Sequence, residues 1–238
     1  RSFNRKMPEE INRILTDRVS SLLFCPTKVA LNNLLAEGLD FWKAEAFLSG
    51  DVMQDGAFFY SKKARRIDHD LKKDDFVLCT VHRPENTDNK SRLKEIFKAF
   101  ALLAKKINII LPLHPRTKLK IKESSIKIAD NIQVIDPIGY LDMIWLIKNC
   151  NLVITDSGGL QKEAFFFSKY CITLRNETEW IELLDEGVNI LAGTSPNKIL
   201  KAFQEFNNKT AKFNQSIFGS GLASKKIAEE IIKDFNSK

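Results

Sequence analysis

The chain is 238 residues long, carries a formal net charge of +7 and is 44% hydrophobic. This length is enough for one large domain, or for one complete domain and part of another. No apolar stretch of the sequence is long enough to cross a bilayer, so a membrane-spanning protein is not expected. The lysines are spread over predicted helix surfaces without aromatic platforms beside them, which favours a solvated basic face over a nucleic-acid-binding surface.

Four cysteines are widely spaced along the chain, at positions 25, 79, 150 and 171. They have neither the spacing of zinc ligands nor the density of a disulfide framework. We therefore expect buried free thiols in a reducing compartment, which points to the cytoplasm.

The first seventy residues contain the beginning of an α/β pattern. A helix is predicted to begin at Met7-Pro8, with Glu9 and Glu10 in its first turn, where acidic residues ordinarily compensate the helix dipole. A short buried strand follows at residues 22–25, and a second helix is predicted from Pro26-Thr27 to about Glu37. A sheet with so little sequence before it would be incomplete, so we expect that further sequence precedes Arg1.

Beyond residue 70, apolar runs alternate with helical patterns. The predicted strands cover residues 76–81, 107–113, 132–135, 152–155 and 170–174, and helical spacing recurs at residues 92–105 and 141–149. Strands that alternate with helices predict a parallel sheet covered on both faces. In such a sheet the functional loops gather beyond the carboxyl ends of the strands.

The fourth of these strands leads into Thr155-Asp156-Ser157-Gly158-Gly159 and then into a predicted helix. The glycines allow a ligand to approach the backbone, and the first N–H groups of the helix with its positive dipole end favour an anion. Glu163 lies one helical turn after Gly159 and faces the same mouth, so a phosphate-bearing ligand with hydroxyl groups fits both features. The alternative is that Asp156 and Ser157 only cap the helix and turn a corner.

Two histidines, His82 and His114, follow predicted strands directly. Each has an arginine close by and could neutralise phosphate or transfer a proton near neutral pH. Alternatively, each only hydrogen-bonds a neighbouring loop. Their common location with the Ser-Gly-Gly turn and Arg175 favours a binding cleft.

Several segments together resemble a known family. They are RSFNR with MPEEINR (residues 1–5 and 7–13), GDVM (50–53), TVHRPENT (80–87), LHP (113–115), TDSGG with Glu163 (155–159), LRNETEW (174–180) and GVN (187–189). In this order and spacing they resemble the UDP-N-acetylglucosamine 2-epimerases of the non-hydrolysing type, including members that act on UDP-linked diacetamido-uronic acids.

The resemblance implies a GT-B-like α/β fold made of two doubly wound, parallel, Rossmann-like domains. Residues 1–70 would be the last part of the first domain with a linker, and residues 71–238 the complete UDP-binding second domain with a C-terminal helix. In the family, a segment with a glycine-rich loop and two catalytic acids precedes the position of Arg1. The first domain is therefore expected to be only partly present in this chain.

The resemblance also implies roles for individual residues. Glu9 would be an acid/base residue and His82 would contact the diphosphate or assist the leaving oxygen. Ser157, Gly158 and Gly159 would hold phosphate, while Glu163 would accept hydrogen bonds from the ribose hydroxyls. Residues from Ile138 to Met143 would border the uracil, and Arg175 would order the loop above the phosphates or be structural.

The implied activity is epimerisation of a UDP-sugar at C2 by elimination and re-addition of UDP, which supplies precursors of surface polysaccharides. No metal, redox cofactor, nucleic acid or membrane partner is implied, and formation of a homodimer is left open. His114 and Arg83 are candidates for a regulatory UDP-sugar site. Trp180 stands where many bacterial members carry an arginine.

Two other functions remain open. A GT-B glycosyltransferase would use the same nucleotide pocket but would need an acceptor cleft. A UDP-binding module without catalysis is the third alternative, and it suits a chain that holds only part of the active site.

Overall fold

A computed structural model of the chain describes residues 1–5, 7–65, 75–210 and 212–237. Its strands are β1 Leu22–Cys25, β2 Glu45–Leu48, β3 Phe76–Thr80, β4 Asn108–Pro112, β5 Ile132–Ile135, β6 Leu152–Thr155, β7 Tyr170–Thr173 and β8 Asn189–Leu191. Its helices are α1 Pro8–Val19, α2 Lys28–Ala36, α3 Val52–Ser61, α4 Pro84–Thr87, α5 Lys90–Leu103, α6 Pro115–Glu123, α7 Tyr140–Asn149, α8 Gly158–Phe166, α9 Ile181–Asp185, α10 Pro196–Asn207 and α11 Ala223–Asn236. None of the helices in these described ranges is long and apolar enough to span a membrane.

The chain forms two compact units, residues 1–59 with 214–238 and residues 60–213. The predicted division differs at the C-terminus, because it assigned the C-terminal helix to the second domain. The predicted boundary between residues 70 and 71 lies outside the described residues.

The first unit holds a parallel pair of strands, β1 and β2, with a small core around Leu23, Cys25 and Leu34. The unit also includes α11, whose first backbone N–H groups are capped by Asp55: its carboxylate accepts hydrogen bonds from Ala223 N at 3.2 Å and Ser224 N at 2.7 Å. This long-range cap is a physical reason why the C-terminal helix belongs to the first unit.

The second unit is built on a six-stranded parallel sheet in the order β5-β4-β3-β6-β7-β8. Numbered within this unit, the order is 3-2-1-4-5-6, the strand order of Rossmann folds. It reverses between β3 and β6, where Thr80 lies beside Thr155. This reversal is the topological switch point, where ligands bind in open α/β sheets.

Helices cover both faces of this sheet, as predicted. Side chains of β3 alternate between two cores: Val77 and Cys79 face the core that includes α5 and α10, whereas Phe76 and Leu78 face the core that includes α7 and α8. Because both faces are buried, the strands appear in the sequence as continuous apolar runs. All four cysteines are buried and free, as expected.

Candidate functional site

The carboxyl ends of β3 and β6 meet at the switch point. The hydroxyls of Thr80 and Thr155 lie 2.6 Å apart and are buried, so a hydrogen bond joins the two strand ends. His82 and Arg83 follow β3, and Asp156 and Ser157 follow β6. The histidine loop and the Ser-Gly-Gly turn, 75 residues apart in the sequence, therefore face one mouth.

Helix α8 begins at the Ser-Gly-Gly turn. Ser157 is the N-cap: its Oγ accepts a hydrogen bond from Leu160 N at 3.3 Å, and its own N–H donates to Thr155 Oγ1 at 2.9 Å. The positive end of the α8 dipole is thus directed at the switch point, with Gly158 and Gly159 as the first helical residues. An added Cβ at Gly158 would lie 3.7 Å from Arg83 Nη2 and 3.6 Å from Glu179 Oε2.

Asp156 fastens the histidine loop to β6. Its side chain is fully buried and accepts hydrogen bonds from the backbone N–H groups of His82 at 3.1 Å and Arg83 at 3.0 Å, and from Asn86 Nδ2 at 3.0 Å. His82 Nδ1 lies 3.3 Å from Asp156 Oδ1, and the His82 side chain is 47% exposed. The ring therefore contacts a buried carboxylate on one side and stays accessible on the other.

The loop after β7 lies against the start of α8. Trp180 Nε1 donates to the carbonyl oxygen of Gly158 at 2.9 Å, and Lys162 Nζ lies 4.3 Å from the centre of the Trp180 ring. Arg175 has a buried side chain whose Nη1 and Nη2 donate to Glu179 at 3.0 and 3.3 Å. Burial lowers the pKa of Arg175, but the hydrogen bonds to Glu179 and the negative charges of Glu179, Glu85 and Glu177 together outweigh burial and raise it above the ordinary value.

Glu163 lies on α8 and is only 7% exposed. Burial raises its pKa, although a hydrogen bond with the Tyr140 hydroxyl opposes the rise. Burial and the nearby Glu163 carboxylate raise the pKa of Tyr140 to about 12. Glu163 is thus a buried hydrogen-bond acceptor, and its partner Tyr140 is the first residue of α7.

A cavity of about 310 Å³ opens at the ends of β3, β4 and β5. Its lining combines apolar and basic side chains, among them His82, His114, Arg116, Ile138 and Met143. The volume lies at the lower end of the range for small-molecule pockets. The described residues contain no cluster of three or more His, Cys, Asp or Glu side chains suited to a metal ion.

The structure brings most of the predicted site residues together in the second unit. His82, Ser157, Gly158 and Gly159 surround the switch point, and Ile138 and Met143 line the neighbouring cavity. Glu9 belongs to the first unit, where it lies exposed on α1. The neighbouring Glu10 is fully buried and accepts hydrogen bonds from Ser2 N and Arg13 Nη1, which makes it a structural carboxylate.

Two contributors were missed by sequence reasoning. Asp156 was considered only as a cap, because its partners are 70 to 74 residues away in the sequence. Gln161 was not singled out at all. It is fully buried, and its Oε1 accepts from Thr178 Oγ1 at 2.7 Å and from Asn189 Nδ2 at 3.0 Å. A polar residue on the apolar side of α8 was the signal that could have pointed to Gln161.

Comparisons with known proteins agree with this architecture. The sequence model of the family described as UDP-N-acetylglucosamine 2-epimerase matches residues 1–232. The chain is 48% identical over 236 residues to UDP-2,3-diacetamido-2,3-dideoxy-D-glucuronate 2-epimerase of Pseudomonas aeruginosa, with 98% of this chain and 66% of the relative covered. It is 45% identical over 239 residues to a UDP-N-acetylglucosamine 2-epimerase homolog of Methanococcus maripaludis, with 96% and 65% covered.

Among solved structures, the UDP-GlcNAc 2-epimerase of Methanocaldococcus jannaschii in complex with UDP-GlcNAc and UDP superposes with a TM-score of 0.88 at 40% identity. The match covers 98% of this chain and 67% of that structure, and it confirms the predicted GT-B-like α/β fold. The chain thus spans about two thirds of the length of its relatives. By sequence and by fold, the chain belongs to the UDP-N-acetylglucosamine 2-epimerase family.

Proposed function

We propose that the second unit binds the UDP part of a UDP-linked sugar at the switch point, and that the enzyme carrying this chain epimerises that sugar at C2. The observation that carries the proposal is the meeting of two loops at the reversal of strand order: the N-terminus of α8 with its Ser-Gly-Gly turn, and the His82 loop after β3. The relative of M. jannaschii holds UDP-GlcNAc and UDP, which supports the same ligand class here.

The diphosphate would lie at the start of α8. The first N–H groups of a helix have no partner within the helix and carry its positive dipole end, so they suit phosphate oxygens. Gly158 and Gly159 supply these groups without side chains that would keep a phosphate away. Arg83 Nη2, close to Gly158, adds positive charge to the same place.

The nucleoside would lie on the side of Glu163 and the cavity. A buried carboxylate can accept hydrogen bonds from both hydroxyls of a ribose, and Glu163 is placed one helical turn beyond the phosphate-binding glycines. Ile138 and Met143 offer an apolar border to a flat base. The polar edge of uracil would then be read by the backbone of residues 138–143.

The reaction needs two proton transfers at C2, one in each direction, and one leaving group. A base removes the proton at C2 while the bond between C1 and the diphosphate oxygen breaks, which leaves a glycal-type intermediate and UDP. Reprotonation of C2 on the opposite face and re-addition of UDP at C1 complete the epimerisation. We assign one proton transfer to Glu9, whereas His82 would stabilise or protonate the leaving oxygen.

The relatives favour two substrates, UDP-GlcNAc and a UDP-linked 2,3-diacetamido-2,3-dideoxyglucuronic acid. We infer that the product supplies surface polysaccharide synthesis. We also infer that the enzyme works in the cytoplasm, because four buried free thiols suit a reducing compartment.

Calorimetric titration of the chain with UDP tests the binding site. The control is Asp130→Asn, an exposed carboxylate just before the amino end of β5, at the edge of the sheet opposite the site. Binding by the wild type and the control, but not by Gly158→Ala, is expected. Absence of binding at millimolar UDP would overturn the proposed pocket.

The activity is tested with the enzyme that carries this chain, incubated with each UDP-sugar in deuterium oxide. Epimer formation with deuterium at C2 is expected. UDP binding without deuterium incorporation would favour a glycosyltransferase, and transfer to an added sugar acceptor would identify it. UDP binding with neither reaction would indicate a binding module.

A further inference from the structure

We propose that Asp156 is the positioning residue of His82: it fixes the histidine loop and holds the neutral imidazole with its proton on Nδ1, so that Nε2 is presented to the ligand. This inference rests on the proposed function only for its effect on turnover. The position and tautomer of His82 are properties of the protein without ligand.

The first step of the argument is the burial of Asp156. Its carboxylate has no exposed surface and sits at the end of β6, the strand adjacent to the one that leads to His82. A carboxylate in such a place must be compensated by hydrogen bonds. A helix cap would have served the backbone of α8, but Ser157 performs that role. Asp156 instead serves the loop after β3.

The second step is the chemistry of its partners. Every group given above as a partner of Asp156 is a donor: the backbone N–H groups of His82 and Arg83, and the side-chain amide of Asn86. An ionised carboxylate can only accept hydrogen bonds, so it matches all of them. For the same reason, the His82 nitrogen that faces Asp156 Oδ1 at 3.3 Å, which is Nδ1, carries the proton.

The third step is the rigidity of the carboxylate. Asp156 Oδ2 is held by Arg83 N and Asn86 Nδ2. Asn86 is itself fully buried, donates to Leu174 O at 3.1 Å and accepts from Arg92 Nε at 3.0 Å. Asp156 is thus anchored through Asn86 to α5 and to the end of β7. Its Oδ1 shares the His82 backbone N–H with Oδ2, at 3.1 Å each, and is the oxygen that orients the imidazole.

These contacts fix both the orientation of the His82 ring and the nitrogen that carries its proton. With Nδ1 protonated against Asp156, the neutral ring offers Nε2 as an acceptor on its exposed side. Once protonated, the same Nε2 donates to an anionic oxygen. His114 and Arg116, which line the same cavity, and Arg83, whose Nη2 lies near Gly158, supply donors and positive charge. Asp156 supplies the negative charge that steadies the imidazolium while the diphosphate departs.

The decisive variant is Asp156→Asn, because it keeps the shape of the side chain but replaces one carboxylate oxygen by an NH₂ group, which is a hydrogen-bond donor. The amide oxygen is expected to stay at the Oδ2 position, where Arg83 N and Asn86 donate, and the NH₂ group then faces His82 Nδ1. That nitrogen must accept, so the neutral ring changes to the Nε2–H tautomer. In serine proteases the equivalent exchange of aspartate for asparagine has this effect on the catalytic histidine.

The test has a spectroscopic part that requires no ligand. Nitrogen chemical shifts of isotope-labelled histidine, recorded at about pH 8.5 where an ordinary imidazole is neutral, report which ring nitrogen carries the proton. We expect Nδ1–H at His82 in the wild type and in the control Asp130→Asn, and Nε2–H in Asp156→Asn. A wild-type His82 in the Nε2–H form overturns the proposal, even if Asp156→Asn does not fold.

The second part measures turnover by the enzyme that carries this chain. Asp156→Asn is expected to lower kcat by roughly 100-fold, at the lower end of what a positioned proton-transfer group contributes, with a smaller effect on KM. In the background of His82→Gln the same exchange should have little further effect, because Asp156 acts through His82. An equal loss of kcat in both backgrounds contradicts the proposal.

The two proposals fail differently. If wild-type protein shows the Nδ1–H tautomer but does not bind UDP, the proposed function fails and the positioning of His82 by Asp156 stands. If UDP binds and the tautomer of His82 is Nε2–H, the positioning of His82 by Asp156 fails and the proposed UDP site stands.

Discussion

Replacement of Arg175 by methionine is expected to destabilise the protein strongly, although the residue lies in the loop after β7 rather than in a strand or helix. The Arg175 side chain is 1% exposed and that of Glu179 is 5% exposed, with two hydrogen bonds of 3.0 and 3.3 Å between them. Removal of one partner leaves the other charge buried, which costs about 3–5 kcal/mol. The expected fall in melting temperature is roughly 6–20 °C, taking about 2–4 °C per kcal/mol for a protein of this size.

Arg116→Met is the matched control. Arg116 donates to both oxygens of Asp88 at 3.0 and 2.8 Å, distances at least as short as those of the Arg175 pair. However, the two side chains are 49% and 46% exposed, so water replaces the lost interaction and the cost is about 0–1 kcal/mol. Urea denaturation followed by circular dichroism compares the two variants. Equal losses would refute the argument from burial.

The double variant Arg175→Met with Glu179→Leu distinguishes two possible roles of Arg175, which are support of the loop and direct contact with the ligand. Removal of both charges eliminates the buried unpaired carboxylate, so most of the stability should return. Because Arg175 has almost no exposed surface, we expect UDP affinity to return with it. A stable double variant that no longer binds UDP would show that Arg175 contacts the ligand.

Three further variants test the site and its support. Burial raises the pKa of Glu163 in the folded state. The contribution of Glu163 to protein stability is therefore fully present below its pKa in the unfolded chain, and it is lost as the pH rises through its pKa in the folded protein. Glu163→Gln should therefore raise the melting temperature at pH 8 but not below about pH 4, and should weaken UDP binding about 10- to 100-fold; unchanged affinity would contradict the ribose contact. Gly158→Ala should leave the melting temperature nearly unchanged, since the added Cβ would meet only ordinary van der Waals contacts, but it should abolish UDP binding. Gly56→Ala, whose added Cβ would have no atom within 4 Å, is the control that should not affect binding. Gln161→Leu leaves two buried donors without their acceptor and should cost about 2–4 kcal/mol in urea denaturation; a loss below 1 kcal/mol would mean that the network is not important for stability.

The sheet and the place of the site could be predicted from the sequence because both depend on local patterns. Buried parallel strands give continuous apolar runs, and the run at residues 76–81 corresponds to β3 with a difference of one residue at its end. The predicted helix at residues 141–149 begins one residue late relative to α7. Once strands and helices alternate, the loops with His82 and Ser157 must lie at the carboxyl edge of one sheet.

Interactions between distant segments could not be predicted in this way. Asp156 and His82 are 74 residues apart, and nothing in the local pattern at Asp156 distinguishes a loop anchor from a helix cap. The same holds for α11, because an amphipathic helix shows that one face is buried but not against which unit. Its place is fixed by Asp55, about 170 residues earlier in the sequence.

The polar residues of the site fall into two groups, those assigned to the ligand and those that hold the loops, and the two groups differ in burial. The groups assigned to the ligand include a half-exposed side chain, His82, and the backbone of two glycines, whereas the groups that hold the loops, such as Asp156 and Arg175, are buried. The loops after β3, β6 and β7 are thus joined through hydrogen bonds before a ligand arrives, and binding needs little further ordering. Exchanges of the exposed groups should therefore affect binding or turnover at nearly constant stability. Exchanges of the buried anchors should lower stability first, and activity through it, except where a buried group also orients a reacting one, as Asp156 does for His82.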